Sequence, residues 1–312
     1  MLHVRVVSPS ALTGRLADQL TAAPGVQNLV VQPGAATRPD GDAVQFDVHE
    51  GVANPVFRGL RGLGLDRSSA ICVERVDATI ADHRLTADHG ALVRERAPVW
   101  EMVEATIRAG AAYSPSFYIL LVAAGLIGAV GILTNSQILI VGAMVVGPEY
   151  SAIMGVALGI SKGDRGPMWD GLLALLWGFL AAIVVTLLFG LAVRGAGKAP
   201  AEFLHGTRPV SDLIYVPNIY SVIVAILAGI VGVVSLTQAR ANALIGVFIS
   251  VTTIPAAADV GVSLAFSSFR EARGSLLQLL LNIVLLIAVG AVGLSTQRMI
   301  WRRLTARSPG PS

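Results

Sequence analysis

Two carboxylates stand inside otherwise apolar sequence, Glu149 and Asp259. Glu149 belongs to the tetrad Gly147-Pro148-Glu149-Tyr150, followed by Ser151, and it stands 13 residues after Ser136 and 13 before Lys162. At about 1.5 Å of helix rise per residue, that spacing puts the carboxyl near the middle of a hydrocarbon layer about 30 Å thick. A charge at that depth costs about 2.5–3.5 kcal/mol on insertion scales, so it must face a partner or a wet cavity. The chemistry open to such a group is binding a cation or exchanging a proton. Pro148 removes a backbone donor and Gly147 loosens the chain beside it, which predicts a broken helix. Asp259 follows Thr253 and Pro255 in a second apolar stretch, and Pro255 lies 15 residues from both Arg240 and Arg270. A second break at mid-depth is predicted there. Hydroxyls of Tyr150, Ser151 and Thr253 flank the two breaks and complete the candidate ion-binding set.

The elements that must hold these groups are membrane spans. The sequence predicts about six, over residues 116–134, 135–163, 171–193, 213–236, 241–269 and 274–297. With the N-terminus inside, ten Lys and Arg fall on the cytoplasmic side and five (Arg194, Lys198, Arg208, Arg270, Arg273) outside, which orients both termini to the cytoplasm. Gly128-Ala-Val-Gly131 recurs as Gly229-Ile-Val-Gly232, and Pro148 recurs as Pro255. Gly155-Val-Ala-Leu158 recurs as Gly261-Val-Ser-Leu264. Three spans per unit is an odd number, so the second unit inserts upside down. Residues 113–197 and 213–300 therefore read as an inverted-topology repeat, a common transporter design.

Bulk composition agrees with this reading. The chain has 312 residues, 54% hydrophobic and 14% charged, against about 25% charged in soluble domains. Residues 1–88 hold 8 Lys and Arg against 10 Asp and Glu; the net positive charge belongs to the remainder, where it sets topology rather than nucleic-acid binding. Cys72 is the only cysteine, which excludes an intrachain disulfide and a thiolate metal cage. The N-terminus does not read as a signal peptide.

Residues 1–80 predict a small α+β domain of ferredoxin-like order βαββαβ. Strands are expected over 2–7, 26–31, 43–48 and 70–80, and helices over 10–23 and 54–65. Arg58, Arg61 and Arg67 suit either an anionic ligand or a solvated helix face. Residues 81–112 read as a linker with an amphipathic helix over 94–107, either interfacial or packed under the domain. Asp82-His83 and Asp88-His89 fit no standard metal motif, and no metal or cofactor is expected. Residues 301–312 form a basic tail.

The run at residues 138–159, ILIVGAMVVGPEYSAIMGVALG, resembles the signature of the domain of unknown function 389 family. Gly142-Ala143-Met144, Pro148 and Met154-Gly155 carry the resemblance, which covers residues 110–300. It implies a hydrophobic multi-pass protein of bacterial or archaeal type and supplies no activity.

The function expected is that of a secondary transporter or ion-translocating protein, in a lipid bilayer, acting on a small solute or ion and forming a homo-oligomer. The alternative is a membrane-anchored sensor whose N-terminal domain binds a ligand or mediates assembly. An enzyme is not expected: there is no HExxH and no serine–histidine set, and His205 is the one histidine of the apolar part.

Overall fold

In this computed structural model, residues 1–65, 71–76, 100–111, 113–204, 214–216, 218–237 and 252–306 are described. The two Asp-His pairs, Arg67 and the first half of the fifth expected span lie outside them. The chain divides into two compact units, residues 1–104 with 301–312, and residues 105–300.

The N-terminal unit runs β1 (Leu2–Ser8), α1 (Ser10–Ala22), β2 (Val26–Thr37), β3 (Asp40–Val48), α2 (Glu50–Gly62) and β4 (Ile71–Arg75). The sheet order is β2-β3-β1-β4, and every neighbouring pair is antiparallel. This is the element order expected from the sequence. Strand alternation sends Leu2, Val4 and Val6 inward, where they meet Leu16 and Leu20 of α1 and Ala53, Val56, Phe57 and Leu60 of α2. Phe46 of β3 is fully buried among them.

Two boundaries differ from expectation. The strand expected over 26–31 continues as β2 to Thr37, because a register shift between Gln32 and Ala36 absorbs Pro33-Gly34 as a bulge. Gly34 adopts φ +63° there, and its N–H donates to Asp42 of β3 at 2.8 Å. Pro55 reads as the first turn of a helix, yet α2 starts at Glu50. The extra turn buries Ala53 and packs Val52 on the core, which offsets the one hydrogen bond that Pro55 cannot make.

The chain then continues as α3 (Trp100–Gly110), α4 (Pro115–Leu133), α5 (Gln137–Val146), α6 (Glu149–Lys162), α7 (Arg165–Gly195), α8 (Ala201–Leu204), α9 (Ile219–Thr237), α10 (Thr253–Ala265) and α11 (Phe269–Ala306). The start of α3 packs on the N-terminal core: Trp100 N–H donates to Asn54 Oδ1 at 3.2 Å, and Met102 touches the cluster. Helices α4, α7, α9 and α11 are long and apolar enough to cross a membrane. Helices α5 and α6 pass the same test only as a pair, bent by 49° at the Gly147-Pro148 break. Helix α10 is shorter, at 13 residues.

This second unit is inside out relative to the first. Its large apolar side chains point outward: Trp169, Leu173, Leu176, Leu180, Val184 and Leu188 make a helical stripe on α7. Small residues let its helices approach closely, such as Gly128 of α4 against Ala258 of α10 and Gly125 of α4 against Ala182 of α7. Water does not drive helices together in lipid, so close backbone approach through small residues does. Both α6 and α10 turn sharply into a long helix, through Gly163 (φ +69°) and Ser267 (φ +61°).

Candidate functional site

Glu149 is the first residue of α6, with Pro148 at the N-cap. Thr253 is the first residue of α10, with Thr252 at the N-cap. The two helix starts meet. Thr253 Oγ1 donates to Glu149 Oε1 at 2.8 Å, joining positions 104 residues apart in the chain. Glu149 is only 5% exposed, Thr253 is fully buried, and Glu149 Oε2 has no hydrogen-bond partner among the described residues.

The approach depends on Gly147. A Cβ there would overlap Ile254 Cδ1 and Glu149 Oε2, with Ile254 Cγ1 at 3.1 Å. Any larger residue would have to displace the Ile254 and Glu149 side chains. On the other flank, Tyr150 is buried with its ring end against Gly232 of α9, where a Cβ would overlap the hydroxyl. Ser151 turns away: its Oγ donates to the Pro148 carbonyl at 2.8 Å and closes the first turn of its own helix.

Pro255 falls at the third residue of α10, in the first turn, where a missing N–H costs nothing. It therefore stands in the first turn of a helix; the chain before Thr252 lies outside the described residues. Asp259 also departs from the expected picture of two facing carboxylates. It sits six residues beyond Thr253, about 9 Å along α10, and takes a hydrogen bond from Ser275 of α11. Its backbone address placed it beside the second break, but its side chain points to the neighbouring helix. The structure thus brings together Glu149, Thr253, Gly147 and Pro148, with Tyr150 alongside, and sets Asp259 apart.

Sequence reading missed Asn282 and Gln278 as neighbours of this junction. Asn282 Nδ2 donates to Thr252 Oγ1 at 3.0 Å, and Gln278 Nε2 donates to Asn282 Oδ1 at 3.3 Å. Both amides are 2% exposed. Their spacing of four within an apolar helix was the available signal.

Each helix start presents the positive end of its dipole, so Glu149 lies between two of them. That favours a negative group and disfavours a bare metal cation. Among the described residues no three His, Cys, Asp or Glu come together in a metal-binding group. In the N-terminal unit a shallow cleft on the open sheet face is lined by His3, Arg5, Gln45, Cys72 and Glu74. There Cys72 faces Arg5 across the strand pair, and Glu74 faces His3.

No curated protein and no solved structure matches the chain. Residues 144–288, from the end of α5 into α11, match the family model described as Domain of unknown function (DUF389), the family that the run at 138–159 resembles.

Proposed function

We propose that this protein is a secondary transporter or ion-translocating membrane protein in which Glu149 takes up and releases a proton. The observation that carries the reading is a buried carboxyl at a helix break, held through one oxygen by Thr253 and unpartnered at the other. A purely structural anchor gains nothing from such a group, since burying a carboxyl costs free energy that one hydroxyl partner offsets only in part. Among the described residues no group of three metal-ligating side chains surrounds Glu149, and a proton needs none.

Two inverted three-helix units, α4–α7 and α9–α11, frame the site in this reading. The support is the shared order of long helix, proline-marked helix start, tight turn and long helix. The N-terminal domain and the basic tail lie in the cytoplasm of the cell, where the domain gates the helices or assembles copies of the chain.

Glu149→Gln keeps size and hydrogen bonding but removes titration. In proteoliposomes it abolishes pH-dependent solute or proton flux while expression and membrane insertion hold. Unchanged flux would make Glu149 a structural group.

A sensor is the second reading, favoured by the cleft around His3, Arg5 and Cys72. Deleting residues 1–80 separates the two: flux survives in a transporter gated by this domain, and every effect of the protein is lost in a sensor.

A further inference from the structure

Helices α10 and α11 form a hairpin through residues 266–268, and its inner face is polar. Three cross-helix hydrogen bonds lie in one antiparallel register. Ser263 Oγ donates to Glu271 Oε2 at 3.4 Å near the turn. Ser275 donates to Asp259 in the middle, and Asn282 Nδ2 donates to Thr252 Oγ1 at the far end. The steps are seven and four residues on both helices, so all three pairs share one face. Gln278 fills the longer step. It donates to Asn282, and its Oε1 is buried with no partner among the described residues.

Elsewhere in this unit the buried hydroxyls behave differently. Thr186 and Thr237 bond carbonyls of their own helices, the usual fate of a hydroxyl in lipid. Only along α10 and α11, among the described residues, do three polar side-chain pairs bond from helix to helix in one register.

The row has two distinct ends. One is Thr252, next in the chain to Thr253, which donates to Glu149. The other is Glu271 at the helix turn, where Arg194 Nη1 donates to the Ala265 carbonyl at 2.7 Å and to Ser267 Oγ at 3.2 Å. From Thr253 to Ala265 the helix rises about 18 Å, roughly half of a hydrocarbon layer. The row thus leads from one membrane surface to mid-depth.

We propose that this face is the half-path by which protons reach Glu149 from the membrane surface where α10 turns into α11. The inference rests on the reading of Glu149 as the proton site. The hydroxyls of Ser263, Ser275 and Thr252 and the carboxyls of Asp259 and Glu271 can each accept a proton on one lone pair and release one. The amides of Gln278 and Asn282 cannot; they hold Thr252 and offer hydrogen bonds to water along the longer step. A proton entering at Glu271 is matched by one delivered to Glu149, and every relay group returns to its starting state. The charged groups at this face are Glu149 at one end, Asp259 within it, and Glu271 and Arg194 at the other, with Arg270 and Arg273 beside Glu271 on α11. Helices α4 and α5, which pack on α10, carry no charged residue.

The test is water access, which needs no knowledge of the solute. Single cysteines at Ser263, Ser275 and Asn282 are placed in the full chain with Cys72→Ser. Controls are Leu280→Cys on the outward apolar face and Ser267→Cys in the turn. In proteoliposomes the membrane-impermeant reagent is a methanethiosulfonate bearing a trimethylammonium group. From the side where Ser267→Cys reacts, Ser275→Cys reacts about tenfold or more faster than Leu280→Cys, because thiols in hydrocarbon meet no aqueous reagent. Asn282→Cys reacts from that side only, and more slowly. If Ser263→Cys and Ser275→Cys react no faster than Leu280→Cys while Ser267→Cys reacts, the row is a dry packing contact and the half-path is overturned. Ser263→Cys carries the test should Ser275→Cys fail to reconstitute. Failure of the parent reading looks different: cysteines in the row react, yet Glu149→Gln leaves flux unchanged.

Discussion

Replacing Gly147 by Ala tests the meeting of the two helix starts directly. The added methyl would overlap Ile254 Cδ1 and Glu149 Oε2, and Ile254 is 1% exposed, so it has little room to move. Overpacking of this kind costs about 1–3 kcal/mol. For a unit of this size, each kcal/mol is about 2–4 °C of melting temperature, so Gly147→Ala melts about 2–12 °C lower. Ile254→Val removes the Cδ1 that the new methyl strikes. Alone it costs about 0.5–1.5 kcal/mol for the lost methylene. Together the two substitutions cost less than their sum, with a coupling of about 1 kcal/mol, because the vacated space receives the alanine methyl. Thermal unfolding in detergent, followed by circular dichroism, reads all four corners of the cycle. Strict additivity, or a Gly147→Ala protein as stable as the parent, would show that α6 and α10 do not pack as described.

Residues 1–85 expressed alone unfold cooperatively on heating; a random-coil circular dichroism spectrum in the cold refutes this. In that fragment Phe46→Ala costs about 3–5 kcal/mol, comparable to the whole stability of so small a core, and should leave it unfolded at 25 °C. Asp42 is held below its ordinary value of 3.8 by the Gly34 N–H and by the hydroxyls of Thr13 and Ser10. Its contribution is therefore complete above about pH 4 and is lost as the pH falls through the lower folded value. Asp42→Asn should melt lower than the parent at pH 7, and the gap should narrow at pH 2–3. A gap that widens in acid contradicts the assignment. For topology, a cysteine at Ala201 in a Cys72→Ser background labels from outside the cell and one at Ser308 does not; labelling of both from one side rules out six crossings.

The membrane character, the α+β order of the first 80 residues and the Glu149 break were all legible in the sequence, because each rests on local pattern. Strand alternation around Val4 and Val6 reports burial directly, and a Gly-Pro pair in an apolar run reports a lost backbone bond directly. What the pattern could not carry is side-chain direction between helices. Asp259 lies about 9 Å along α10 from the residue that contacts Glu149, and its side chain is bonded by Ser275 of α11. Thr253 was expected in the set around Glu149 and does bond to it, whereas Ser151, expected beside it, bonds the carbonyl of Pro148 instead; packing alone decides between such hydroxyls. The start of α2 and the end of β2 fall outside their expected bounds for a related reason: burial of Val52 and Ala53, and a hydrogen bond from the Gly34 N–H to Asp42, outweigh local propensity.

The outward stripe on α7 has one more consequence. Trp169 and Trp177, two of the four tryptophans, are 56% and 57% exposed on it. Eight residues separate them, about 12 Å along the axis. In a bilayer their indoles touch acyl chains at two different heights, so each would lose emission to a different set of brominated lipids. With the other tryptophans replaced by Phe, the pair acts as an intrinsic ruler, reading how deeply α7 sits and which way it tilts without any attached probe.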